Sequence, residues 1–89
     1  MIFIILVKFK KGLTREVIAE NLRDFEIDKE AGVKQLGTYW TLGRYDTVAV
    51  IDAPNEKVAM NMVLRRMDRM DIEMLVALPA NAKNPGGPA

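Results

Sequence analysis

Apolar and polar positions follow two rhythms along this chain, and the places where the rhythm changes outline its elements. Ile2 to Val7 is an unbroken apolar, largely β-branched run bounded by Lys8, Lys10 and Lys11. Such a short run predicts a strand buried on both faces. After Gly12 the period lengthens. Ile18, Leu22 and Phe25, with Val17 beside them, predict the buried stripe of a helix capped by Thr14 and ended by Gly32. Arg15, Glu16, Glu20, Arg23, Asp24 and Asp28 are expected on its wet side.

Val33 to Thr41 returns to a strand-like pattern, with Leu36 and Trp40 on one side and Gly37, Tyr39 and Thr41 on the other. Trp40 is expected in the core. Leu42-Gly43-Arg44 predicts a short hairpin connection in which Gly43 supplies the positive φ, and Tyr45 to Asp52 predicts the third strand. An odd-length connection pairs Leu36 with Val50 and Tyr39 with Thr47. Asn55 caps a second helix, with Ala59, Met62, Val63, Met67 and Met70 inward and Arg65, Arg66 and Asp68 outward. Ile72 to Leu78 alternates as a last strand. Residues 1–79 therefore form one domain, and 80–89, "ANAKNPGGPA", read as a flexible tail.

The order β-α-β-β-α-β predicts an α+β, ferredoxin-like sandwich: a four-stranded antiparallel sheet with both helices on one face. The first and third strands lie at its centre. The helix-free face is then expected to carry alternate residues of Ile2 to Val7 together with Tyr39, Ala49, Ile51, Leu75 and Ala77. Burying a large apolar side chain is worth roughly 1.5–3 kcal/mol. A second copy packed face to face is the economical cover, so a homodimer or higher homo-oligomer is expected.

Composition narrows the chemistry. With 89 residues the domain is small and gains from self-association. There is no cysteine and no histidine, which removes disulfides, the usual nitrogen and sulfur metal ligands and the common nucleophile–histidine pairs. No metal and no cofactor are expected, and absent cysteine agrees with a cytoplasmic setting. A formal charge of +1 is too balanced for a nucleic-acid surface or a polybasic membrane patch. The apolar start is far short of the roughly 20 residues that cross a bilayer. Neither nucleic acid nor membrane is an expected partner.

The candidate chemistry lies around the hairpin. Asp46 beside Tyr45 is either a general base or an acceptor for turn amides. Tyr39, Thr41, Tyr45, Thr47 and Glu73 share a parity that places them on the helix-free face. An apolar floor with hydroxyls and one carboxylate describes a small-molecule cavity, and equally a dimer interface. Gly43 and Arg44 belong to the turn. Arg65, Arg66 and Arg69, interleaved with Asp68 and Asp71, are expected to be a solvated helix face. Asp24, Glu26 and Asp28 do not converge as metal ligands would.

The stretch "TYWTLGRYDTVAVIDAP" resembles the GYD domain family of small bacterial and archaeal proteins, with Gly43, Tyr45 and Asp46 at the signature positions and Arg44 inserted between them. The resemblance spans roughly residues 1 to 80. It implies the dimeric α/β barrel arrangement, shared with antibiotic-biosynthesis monooxygenases, muconolactone isomerase and chlorite dismutase-like proteins. It implies no particular activity. The segments "KFKKGLT" and "RMDRMDIEM" depart from the family pattern. A haem activity is disfavoured for want of a histidine ligand. An RNA-recognition role fails because "RYDTVAV" has one aromatic and an acid where stacking aromatics belong. Two functions remain: a small-molecule-binding or assembly module with a pocket between facing sheets, or a cofactor-independent monooxygenase or isomerase acting on a small aromatic or lactone-like compound.

Overall fold

Side-chain caps start both helices. In the computed structural model, which describes residues 1–80, the Thr14 hydroxyl accepts the Val17 N–H and the Asn55 amide oxygen accepts that of Val58. These caps satisfy donors that the first helical turn leaves free. The elements run β1 (Ile2–Phe9), α1 (Arg15–Glu30), β2 (Lys34–Trp40), β3 (Thr47–Asp52), α2 (Glu56–Arg66) and β4 (Met70–Ala77). Gly32, at φ +92°, takes the left-handed conformation that turns the chain out of α1. Most of the expected tail, from residue 81 on, lies outside the described residues.

The strands form one antiparallel sheet in the order β2-β3-β1-β4, so β1 and β3 are central as expected. This is the ferredoxin-like α+β sandwich. Its core lies on the helix side. Phe3, Ile5 and Val7 of β1 and Ile51 of β3 are buried there with Ala59 and Met62 of α2, while Ile2, Ile4 and Leu6 on the other side are only half-buried.

The hairpin overturns part of the expected register. Trp40 pairs with Thr47, so the connection is the six residues 41–46 rather than three, and Tyr39 lies opposite Val48 rather than Thr47. An even loop in place of an odd one moves every β3 side chain to the other face. Ala49 and Ile51 therefore point toward the helices, where Ile51 is 0% exposed, and Val48 and Val50 take the open face. Leu36, expected opposite Val50, sits in an irregularity between Gln35 and Gly37, and Gly37 faces Val50 instead.

α1 is also turned relative to its expected orientation. Its buried residues are Asp24 and Asp28, whereas Ile18, Leu22 and Phe25 are exposed. The cause is on α2 and just beyond it. Arg66, expected outside, is only 8% exposed and donates to Asp28 at 2.6 Å; Arg65 also donates to Asp28. Arg69 donates to Asp24 at 2.5 Å and to Asn21 at 3.1 Å. A buried charge requires a paired, hydrogen-bonded partner, so these contacts dictate which side of α1 faces α2. Burial works against the Arg69 charge, but the hydrogen bond and charge of Asp24, helped by Asp68 and Glu20, outweigh it and hold the guanidinium above its ordinary range. Met67, expected inside, is exposed.

Candidate functional site

Gly43, at φ +112°, lets the β2–β3 connection reverse where a side chain would be strained. Two bonds then close the connection. The Thr41 N–H donates to the Asp46 carbonyl at 3.0 Å, and the Thr41 hydroxyl donates to the Tyr45 carbonyl at 2.7 Å. The Asp46 N–H continues the ladder to the Val7 carbonyl, and its carboxylate accepts the Phe9 N–H at 2.9 Å. The Asp46 side chain thus ties the loop to the end of β1, while only its backbone carbonyl accepts an amide of the turn. That use satisfies a strand amide that β3 is too short to reach.

Tyr45 projects from this loop to the open face. Its hydroxyl donates to Glu73 Oε2 of β4 at 2.5 Å, and the Arg44 guanidinium lies 5.5 Å from its ring centre. Lys8 and Asp71 stand opposite each other in the β1–β4 register, two pairs beyond Leu6 and Glu73 and so on the same face. Lys8, Arg44, Tyr45, Asp71 and Glu73 line a depression of about 340 Å³. The Glu73 hydrogen bond, aided by desolvation and by the Glu73 charge and opposed by Arg44, raises the Tyr45 hydroxyl above its ordinary value near 10. At neutral pH Tyr45 is a proton donor, and within the pair only Glu73 can accept.

The sequence-derived site residues therefore separate. Tyr45 and Glu73 are joined directly, and Tyr39 shares their face through its pairing with Val48. Thr41 serves the loop. Thr47 is a correction: it pairs with Val7 and Trp40 and lines the helix side of the sheet. Trp40, expected in the core, is 72% exposed, its ring centre 6.4 Å from that of Phe9. It is the last residue of the edge strand β2. Lys8 was expected only to bound the first strand and Asp71 to lie on a solvated helix face, yet Asp71 is in β4 and shares the parity of Glu73. Among the described residues no group of three or more acidic side chains is placed to hold a metal ion, and no helix is long and apolar enough to cross a membrane.

A helix-backed antiparallel sheet whose loop carries Gly43, Tyr45 and Asp46 defines the class: a ferredoxin-like α+β domain. The chain belongs to the GYD domain family, whose model matches residues 3–82. None of the curated proteins matches it. Solved structures are similar in fold. Protein SCO4226 from Streptomyces coelicolor A3(2) superimposes with a TM-score of 0.56 at 16% identity, over 88% of this chain and 99% of that one. Protein Atu4242 from Agrobacterium tumefaciens gives 0.59 at 14% identity, over 92% and 96%.

Proposed function

We propose that this protein is a small-molecule-binding module that works as a homodimer, its two sheets facing each other across a shared pocket. The observation that carries this reading is the open face itself. Ile2, Ile4, Leu6, Val48, Val50 and Leu75 form one apolar surface on the side opposite the helices, and it ends in the Tyr45–Glu73 pair. Covering those six side chains, most of them half-buried already, is worth on the order of 5 kcal/mol. That is comparable to the whole stability of a small domain. A ligand with an apolar body and one polar end would rest on Leu6 and Val48 and meet the hydroxyl–carboxylate pair.

An enzymatic role has less support. The Asp46 carboxylate is engaged by the Phe9 N–H, and Tyr45 holds its proton at neutral pH, so the two expected acid–base groups are committed elsewhere. The cysteine-free composition fits a cytoplasmic setting.

Light scattering at micromolar concentration tests the assembly. The expected result is twice the chain mass, reduced to one chain mass by Leu6→Glu. A folded wild-type protein of one chain mass would overturn the proposal. Ligand binding is tested by melting the protein against a panel of small molecules. A compound that stabilises the wild type should lose its effect in Glu73→Gln if the pocket reading is correct.

A further inference from the structure

The depression beside Tyr45 gathers two charges of each sign, Lys8 and Arg44 against Asp71 and Glu73, and they do not pair with one another. Among the described residues, Lys8 and Arg44 have no carboxylate at salt-bridge distance, and Glu73 has no cation there. Asp71 reaches only Lys10, at 4.0 Å. Glu73 accepts the Tyr45 hydroxyl through Oε2, and its Oε1 has no partner among the described residues. Arg44 meets the face of the Tyr45 ring, a contact that spends none of its N–H groups on an acceptor.

Tyr45 spaces the two signs. Its ring receives the guanidinium, while its hydroxyl, at the end of the same ring, holds the carboxylate. Exposed ion pairs contribute little in water, so on a bare face these groups gain little by closing on one another. A second sheet changes that balance. Covered charges must be matched, and their contacts strengthen as water leaves. A ligand head of one sign would match half of the set and crowd its own sign against the rest. A head that carries both signs answers all four.

We propose that the depression takes the head of a small dipolar ion, an amino carboxylic acid with an apolar side chain. The inference rests on the shared-pocket reading above. The ligand carboxylate meets Arg44, whose planar fork can take both oxygens, and Lys8. Its ammonium meets Glu73 Oε1 and Asp71. Its side chain lies on Leu6 and Val48, since Leu6 stands opposite Glu73 on one side and Val48 on the other.

Phenylalanine, 3-phenylpropanoate and 2-phenylethylamine are the probes, because they share an apolar body and differ in which charges they carry. Calorimetric titration of the wild-type protein should show phenylalanine binding about tenfold or more tightly than either analogue, the worth of one charge-assisted hydrogen bond. Arg44→Gln should weaken phenylalanine and phenylpropanoate and leave phenylethylamine unchanged. Glu73→Gln should weaken phenylalanine and phenylethylamine and leave phenylpropanoate unchanged. Both positions are exposed, so both variants should fold, and their circular dichroism is the control. A two-chain mass in light scattering with no phenylalanine binding strikes the dipolar ligand alone. So does an analogue that binds as tightly as phenylalanine, or a variant that weakens all three probes equally. A one-chain mass for the wild type removes the shared pocket and this inference with it.

Discussion

The Tyr45 hydroxyl meets a carboxylate rather than solvent alone, and that contact sets its titration. Ionised tyrosine is the charged form, and its pKa in the folded chain is raised. The stabilisation is therefore fully present below the unfolded value near 10 and is lost as pH rises through the folded value. In a Tyr39→Phe background, where Tyr45 is the remaining tyrosine, phenolate absorbance should appear above pH 10. Glu73→Gln should move that midpoint downward, and an unmoved midpoint would dissolve the pair. Asp46 gives a different kind of test. Asp46→Ala should cost about 1–2 kcal/mol in urea denaturation by orphaning the Phe9 N–H, whereas Asp46→Asn keeps an acceptor and should cost less. A loss below about 0.3 kcal/mol for the alanine variant would deny Asp46 its structural part. Glycine, tyrosine and aspartate were legible as a turn with polar shoulders. That Asp46 reaches back to β1 was not, because the contact spans 37 positions and depends on where β3 begins.

At the scale of elements, the caps, the end of α1 and the strand order could be read from the chain, since each rests on local chemistry. The end of α2 could not: it falls at Arg66, before Met67 and Met70, which were expected on its buried face, and Met70 opens β4. Nor could the facing of α1. A stripe such as Ile18, Leu22 and Phe25 normally goes inward, yet Asp24 and Asp28, one turn apart, meet arginines that lie about forty positions later. Only the fold brings those charges together. The parity of β3 failed for a related reason: a one-residue shift in the hairpin register sends Ala49 and Ile51 to the opposite face. The orientation of α1 predicts an inverted pattern of mutational cost. Leu22→Ala, at a position 60% exposed, should change stability by no more than about 0.5 kcal/mol. Asp28→Ala, at a position 1% exposed and bonded to two arginines, should cost about 3 kcal/mol or more by stranding buried positive charge. Denaturant melts of the two variants check this. Equal costs, or a larger cost for Leu22, would mean that α1 packs by its apolar stripe after all.

For the whole molecule, the open face survives the errors made within it. The register shift exchanged Ala49 and Ile51 for Val48 and Val50, larger and smaller residues traded across β3, but the face stayed apolar because β3 is greasy on both sides. This robustness comes from composition, not from register, which is why the argument for a partner could be made before the strands were paired. It leads to a measurement that needs no ligand. If two copies cover each other, unfolding releases two chains, and mass action makes the melting temperature rise with protein concentration. The melting temperature should therefore climb by several degrees over a hundredfold increase in concentration. Ile4→Glu, on the same face as Leu6, should flatten that dependence by placing a charge where the second sheet would sit. The helix-side core would be untouched, because Ile4 points away from Ile51 and Met62. A wild-type melting temperature independent of concentration, together with an Ile4→Glu variant that melts like the wild type, would leave this face bare and remove the shared pocket with it.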